Sequence, residues 1–136
     1  MEESLYIEDW LKIARKDLHR VKRNLEDHDA ESAGFYLQQS LEKYLKAFLL
    51  KHGWKLKKIH ALHDLLTDAI TYNQSLEAFR ELCEKVSGYY FIDRYPLPSA
   101  ITELTCEDVE NDLKNAKKLI RILFPEENLN AKKQQP

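Results

Sequence analysis

Apolar residues recur in this chain with the 3.6-residue period of a helix, in five segments separated by polar or turn-forming stretches. The first segment, about Ser4 to Asp27, places Ile7, Trp10, Leu11, Ala14, Leu18, Val21 and Leu25 on one stripe. The second, about Ala30 to Lys51, carries Leu37, Leu41, Tyr44, Leu45 and Phe48, with Gly53 placed to end it in a left-handed conformation. A third runs from about His60 to Tyr72, with Leu62, Leu65, Leu66, Ala69 and Ile70 facing inward. Asn73-Gln74-Ser75 is turn chemistry that caps a fourth, about Leu76 to Tyr90, whose inner side is Leu76, Phe79, Cys83, Val86 and Tyr90. Thr105 with Asp108 reads as a capping box for the fifth, with Val109, Leu113, Ala116, Ile120 and Leu123 as its stripe. The pattern predicts an all-α bundle of about five helices, filling residues 1–125 as one domain. The polar residues 126–136 are expected to form a disordered tail.

Composition agrees with that reading. The 136 residues are 43% hydrophobic and 32% charged, with three Gly and four Pro, so helix breakers are few. A domain of this size can build its core without a metal or disulfide staple. Cys83 and Cys106 follow no ligand or redox spacing and read as free thiols. The N-terminus is acidic and polar, unlike a secretion signal, and no run approaches 18 apolar residues. A cytoplasmic protein without a membrane span is expected. The formal charge of −2 makes nucleic-acid contact depend on a local patch.

Within the second helix a polar arc adjoins the apolar stripe. At about 100° per residue, Phe35, Gln38, Gln39, Glu42 and Lys46 fall together, so two amides, a carboxylate and an ammonium share the shoulder of a buried face. Amides at such a border must be paired inside the bundle or turned towards a ligand, because an unpaired buried amide is costly. Two other stretches carry candidate chemistry. Residues 51–60 hold Lys51, Lys55, Lys57, Lys58, His52, His60 and Trp54 with no acid. That run can meet phosphates and a base, or be a solvated loop with Trp54 folded on the core. Asp93-Arg94-Tyr95-Pro96 follows two tyrosines and precedes a second proline, which predicts an irregular, extended path. Its Arg suits phosphate or carboxylate, or an ion pair with Glu42 or Asp93.

Other motifs carry less. His60, His63 and Asp64 share a helix face but lack the further ligands that zinc requires. Arg23 and His28 form an acid–base pair by type alone. Three scattered glycines cannot build a phosphate loop.

The order Asp17-Leu18, Phe35-x-x-Gln38-Gln39-x-x-Glu42-x-x-Leu45-Lys46-Ala47, Gly53, His60, Leu65, and Tyr89-Tyr90-x-x-x-Arg94-Tyr95-Pro96 resembles the HEPN domain family across about residues 5 to 124. The resemblance implies a bundle whose first two helices are long and antiparallel, and a protein that is often a dimer. It also implies pairing with a minimal nucleotidyltransferase, as in toxin–antitoxin-like pairs, and a nucleotide-binding role. Other branches are metal-independent ribonucleases, marked by an Arg followed four to six residues later by His in the later half of the domain. Here Arg94 has no such His, since the last histidine is His63, and Arg23 to His28 has the spacing in the wrong region.

The resulting expectation is a binding module for a nucleotide, other phosphate ligand or RNA, or a nucleotidyltransferase partner, without cofactor, metal or assigned catalytic residue. The candidate ligand-binding residues are Gln38, Gln39, Glu42, Lys46, His60, Asp93, Arg94 and Tyr95. Gln38 would read polar edges, Arg94 and Lys46 would take phosphate charge, and Tyr95 would stack or position Arg94. The alternatives are a ribonuclease toxin and a bundle whose polar arc serves only oligomerisation.

Overall fold

The structure is a computed structural model that describes residues 3–55, 57–94, 96 and 103–129, with the side chains of Asp93 and Arg94 outside the description. It contains α1 (Ile7–Glu26), α2 (Ala30–Lys51), α3 (Leu62–Ile70), a 3-10 segment (Gln74–Phe79), α4 (Arg80–Ser87), α5 (Tyr89–Arg94) and α6 (Cys106–Leu123). Among the described residues there is no strand.

Helices α1 and α2 form an antiparallel hairpin, as three cross-contacts show. Arg20 lies over Tyr36, Ser40 Oγ donates to Ala14 O at 2.8 Å, and Lys46 lies over Trp10, so the partners run in opposite directions. The turn between them is three residues long. Asp29 N donates to Asn24 O and His28 N to Leu25 O, a pattern that needs a left-handed residue, and His28 takes that role with φ 59°. Asp29 then caps α2 by accepting from Ser32 N. The far end of α2 closes the same way, with Trp54 N donating to Leu49 O and Gly53 at φ 85°.

Helix α2 is the axis of the fold. It packs against α1, α3, α4, α5 and α6. Leu37, Leu41, Tyr44, Leu45 and Leu49 are fully buried, and so is Lys46. A helix surrounded in this way hides its polar shoulder as well as its apolar stripe. Gly34 lets α5 approach: a Cβ there would stand 3.0 Å from Leu104 Cδ2 and 3.1 Å from Tyr89 Cδ2. Tyr89 uses that space to donate its hydroxyl to buried Asp112 on α6 at 2.5 Å, and Lys85 reaches the other oxygen.

The expected fourth helix is broken. A 3-10 segment, capped by Asn73 as anticipated, precedes α4, and at Gly88 the bonds tighten to i→i+3 before α5 begins. Asp93 and Arg94 therefore end a helix where an irregular, extended path was expected. Pro96 lies outside that helix, and Pro98 lies outside the described residues. The capping box of Thr105 and Asp108 is formed.

The polar end also differs from expectation up to residue 129. Leu129 packs against the core, and Glu127 is held by Arg15 (2.9 Å) and the Tyr44 hydroxyl (2.8 Å). Burial and this carboxylate push the Tyr44 hydroxyl well above the ordinary phenol range. Residues 130–136 lie outside the described residues. Glu127→Ala leaves the buried Tyr44 hydroxyl without its acceptor, while Arg15 keeps Glu8, so a loss of about 1–3 kcal/mol is expected in urea unfolding. Glu127→Gln should recover part of it.

Candidate functional site

The arc on α2 becomes a directed chain of hydrogen bonds. Lys43 Nζ donates to Gln39 Oε1 at 3.0 Å, and Gln39 Nε2 donates to Gln38 Oε1 at 2.7 Å. Gln38 Nε2 then donates to Glu42 Oε1 and to the His60 carbonyl oxygen, both at 3.2 Å. From the other side Lys46 Nζ (3.1 Å) and His60 Nδ1 (2.8 Å) meet on Glu42 Oε2. Every donor in the array points directly or in relay at one carboxylate.

Burial sets the strength of these contacts. Gln38 is 2% exposed, Glu42 4% and Lys46 0%. Coulomb attraction is least screened in such a place, and each ion left alone there would be costly. Burial alone pushes the Glu42 carboxyl up; the His60 hydrogen bond and the Lys43 and Lys46 charges outweigh it and leave the group below its ordinary value of 4.5. An ionised carboxylate only accepts, so His60 carries a proton on Nδ1. The His60 side chain is itself 65% exposed, making it the link between the buried array and solvent.

The array opens on a groove of about 930 Å³. Trp10 and Ile13 from α1 form one wall, and Tyr90 and Phe91 from α5 form another. Gln38, Gln39, Glu42, Lys43 and Lys46 line it from α2, with His60 and His63 from the segment leading into α3. Glu3, Asp9 and Glu84 add an acidic rim. Trp10 is fixed by its indole N–H, which donates to Ser4 O at 2.7 Å, while Ser4 Oγ donates to Asp9. The lysine cation lies 5.4 Å from the Trp10 ring centroid, so the aromatic wall and the ionic array share Lys46.

Five of the eight expected residues thus meet: Gln38, Gln39, Glu42, Lys46 and His60. The backbones of Asp93 and Arg94 close α5, while their side chains, and Tyr95 entirely, lie outside the described residues. Glu42 finds its charge partner in Lys46 and a further hydrogen-bond partner in His60. Lys46 was expected to take phosphate, but its charge is already matched by Glu42. His60 precedes α3 instead of opening it, because α3 starts at Leu62, whose N–H donates to Ser87 Oγ. Trp54 is folded back, packed against the core and donating to Asp68 at 3.0 Å, the second of the two readings of that connector. Arg23 and His28 are both exposed at the α1–α2 turn and neither lines the groove. Among the described residues no cluster of ligating side chains is arranged for a metal. The sequence pattern places Trp10 and Tyr90 on inner helix faces and does not single out Phe91; it takes the tertiary fold to make the three walls of one cavity.

A sequence model of the HEPN domain matches residues 7–129. The chain belongs to the HEPN domain family. Its HEPN fold is similar to the crystal structure of TT1696 from Thermus thermophilus, with 28% identity, a TM-score of 0.74, and coverage of 86% of this chain and 94% of that one. It is also similar to the crystal structure of ST0689, described as an archaeal HEPN homologue, with 22% identity and a TM-score of 0.69. That likeness covers 93% of this chain and 98% of the other. Comparison with curated proteins returns no match. Among the described residues no helix is long and apolar enough to cross a membrane.

Removing one partner from the Glu42–Lys46 pair should be far worse than removing both. Glu42→Ala is expected to cost about 3–5 kcal/mol, and the double change Glu42→Met with Lys46→Met much less. The pH dependence has a definite sign. Because the folded carboxyl titrates below its unfolded value, its contribution is complete above about pH 4.5 and is lost as pH falls through the folded value. Urea midpoints between pH 3 and 7 should show this acid-side component in the wild type and lack it in Glu42→Gln.

Proposed function

We propose that this HEPN domain binds a nucleoside or nucleotide in the α1–α2–α5 groove and acts beside a minimal nucleotidyltransferase partner as a homodimer. The observation that carries the reading is the buried Gln38–Glu42–Lys46–His60 array facing a cavity with aromatic walls. Ligand pockets combine apolar walls with a few fixed polar groups, and this groove has that make-up. A planar base suits Trp10, Tyr90 and Phe91, while the second Gln39 N–H and the remaining lone pairs of the two amide oxygens serve its edge.

Charge refines the ligand. Lys46 is matched by Glu42, so among the described residues Lys43 is the lysine left at the groove for an anion, opposed by Glu3, Asp9 and Glu84. The base and sugar are therefore the recognised parts, and a triphosphate meets repulsion at the rim. Ile13 and Phe91, both exposed at the mouth, supply apolar area for a partner chain.

Calorimetric titration with nucleosides, nucleoside monophosphates and triphosphates tests the proposal. Heat is expected with the first two and weaker binding with the third. Gln38→Ala and Trp10→Ala should each weaken binding at least about tenfold, which corresponds to a buried interaction worth about 1.4 kcal/mol. Silence with every compound, alone and with a co-purified nucleotidyltransferase, would end the ligand reading.

A further inference from the structure

A second feature lies on α6, outside the groove. Lys114, Lys117, Lys118 and Arg121 are spaced i, i+3, i+4, i+7, which puts four cations on one helical face about 10 Å long. Lys22 of α1 adds its charge to the same place. The α6 side chains, with Glu110 at one end and half-buried Leu113 beneath, enclose a shallow depression of about 320 Å³.

Several features of this patch bear on its role. Among the described residues none of these five cations forms an ion pair, a state they share with exposed Lys12 and Lys16; what distinguishes them is that they are gathered on one face. Like charges three and four residues apart repel on a helix, whereas the C-terminal end of the α6 dipole favours cations such as Arg121 in its last turn. The chain as a whole is acidic, with a formal charge of −2, and still gathers five of its 21 lysines and arginines here. Burial, Arg121 and Lys22 together hold the Lys117 ammonium below its ordinary range, as expected for a cation desolvated among cations.

We propose that the α6 face is a docking surface for the phosphodiester backbone of a single nucleic-acid strand, read without reference to its bases. The lining favours this partner over an acidic protein segment. Among the described residues no aromatic side chain lines the depression, and Leu113 is its sole apolar contributor, so it lacks the anchors that protein interfaces use and the platforms that stack bases. What remains is a row of cations along one helix face, with Arg121 able to grip a phosphate through two bonds.

The test is fluorescence anisotropy of labelled 12-mer RNA and DNA of mixed sequence, titrated with the full chain across a salt series. Both strands should bind alike, and affinity should fall with salt with a slope of about 0.7 per phosphate neutralised on a single strand. Lys117→Glu with Arg121→Glu should weaken binding at least about tenfold. The milder Lys117→Gln with Arg121→Gln should lower the salt slope by about 0.7 for each phosphate no longer held. Circular dichroism melting confirms that both variants fold; the Gln pair keeps the test valid if the Glu pair does not. Inorganic polyphosphate should compete. Binding that the α6 variants leave unchanged, that moves instead with Lys55→Glu and Lys58→Glu, or that polyphosphate cannot displace would overturn the proposal. Because Gln38→Ala leaves α6 untouched, failure here and failure of nucleoside binding at the groove are separately readable.

Discussion

A lysine and a glutamate one turn apart, both shut away from water on the central helix, are the constraint around which this bundle is arranged. Lys46 and Glu42 cannot be hidden by apolar neighbours alone; each needs compensation that the rest of the structure must deliver. Trp10 comes from α1 to cover the ammonium, and His60 comes from the segment before α3 to complete the carboxylate. The amides of Gln38 and Gln39 extend the compensation towards the surface. The positions of α1 and of the α3 approach are therefore tied to a charge pair as well as to an apolar seam.

This explains what the linear sequence could and could not convey. The limits of α2 follow from its pattern, because Ala30–Lys51 has uninterrupted periodicity, an Asp cap and a left-handed glycine beyond it. The polar arc was legible too, since angular position on a helix is fixed by residue number. Its burial was not. A helix covered on several sides looks, in one dimension, like a helix with one wet shoulder. Periodicity also failed at Gly88, where a change of hydrogen-bond pattern breaks the helix without breaking the apolar spacing.

Partners far apart in the chain were out of reach for a different reason. Glu127 and Arg15 are 112 residues apart, and Tyr89 and Asp112 are 23 apart on different helices. Nothing in the local pattern of either member marks it as half of a pair. Asp112 sits on the buried side of α6 among Val109, Ala116 and Leu119, where it is a polar exception to an apolar stripe. Such an exception is a usable signal, because a buried carboxylate requires a donor from elsewhere. The cations of α6 do not stand out as a group in the linear pattern, because an inner apolar stripe says nothing of how the outer faces are sorted.

Gly34 shows how a missing methyl group can govern change in the protein over time. Its bare Cα is the seat for Tyr89 and Leu104, so three positions on three stretches of chain share one volume. Adding a side chain at 34 requires ring or leucine to yield a few tenths of an ångström, and a shifted ring weakens the Tyr89–Asp112 bond, leaving Lys85 as that carboxylate's partner. Substitutions at the three positions are therefore coupled. A single residue without a side chain thereby links α2, α5 and the approach to α6.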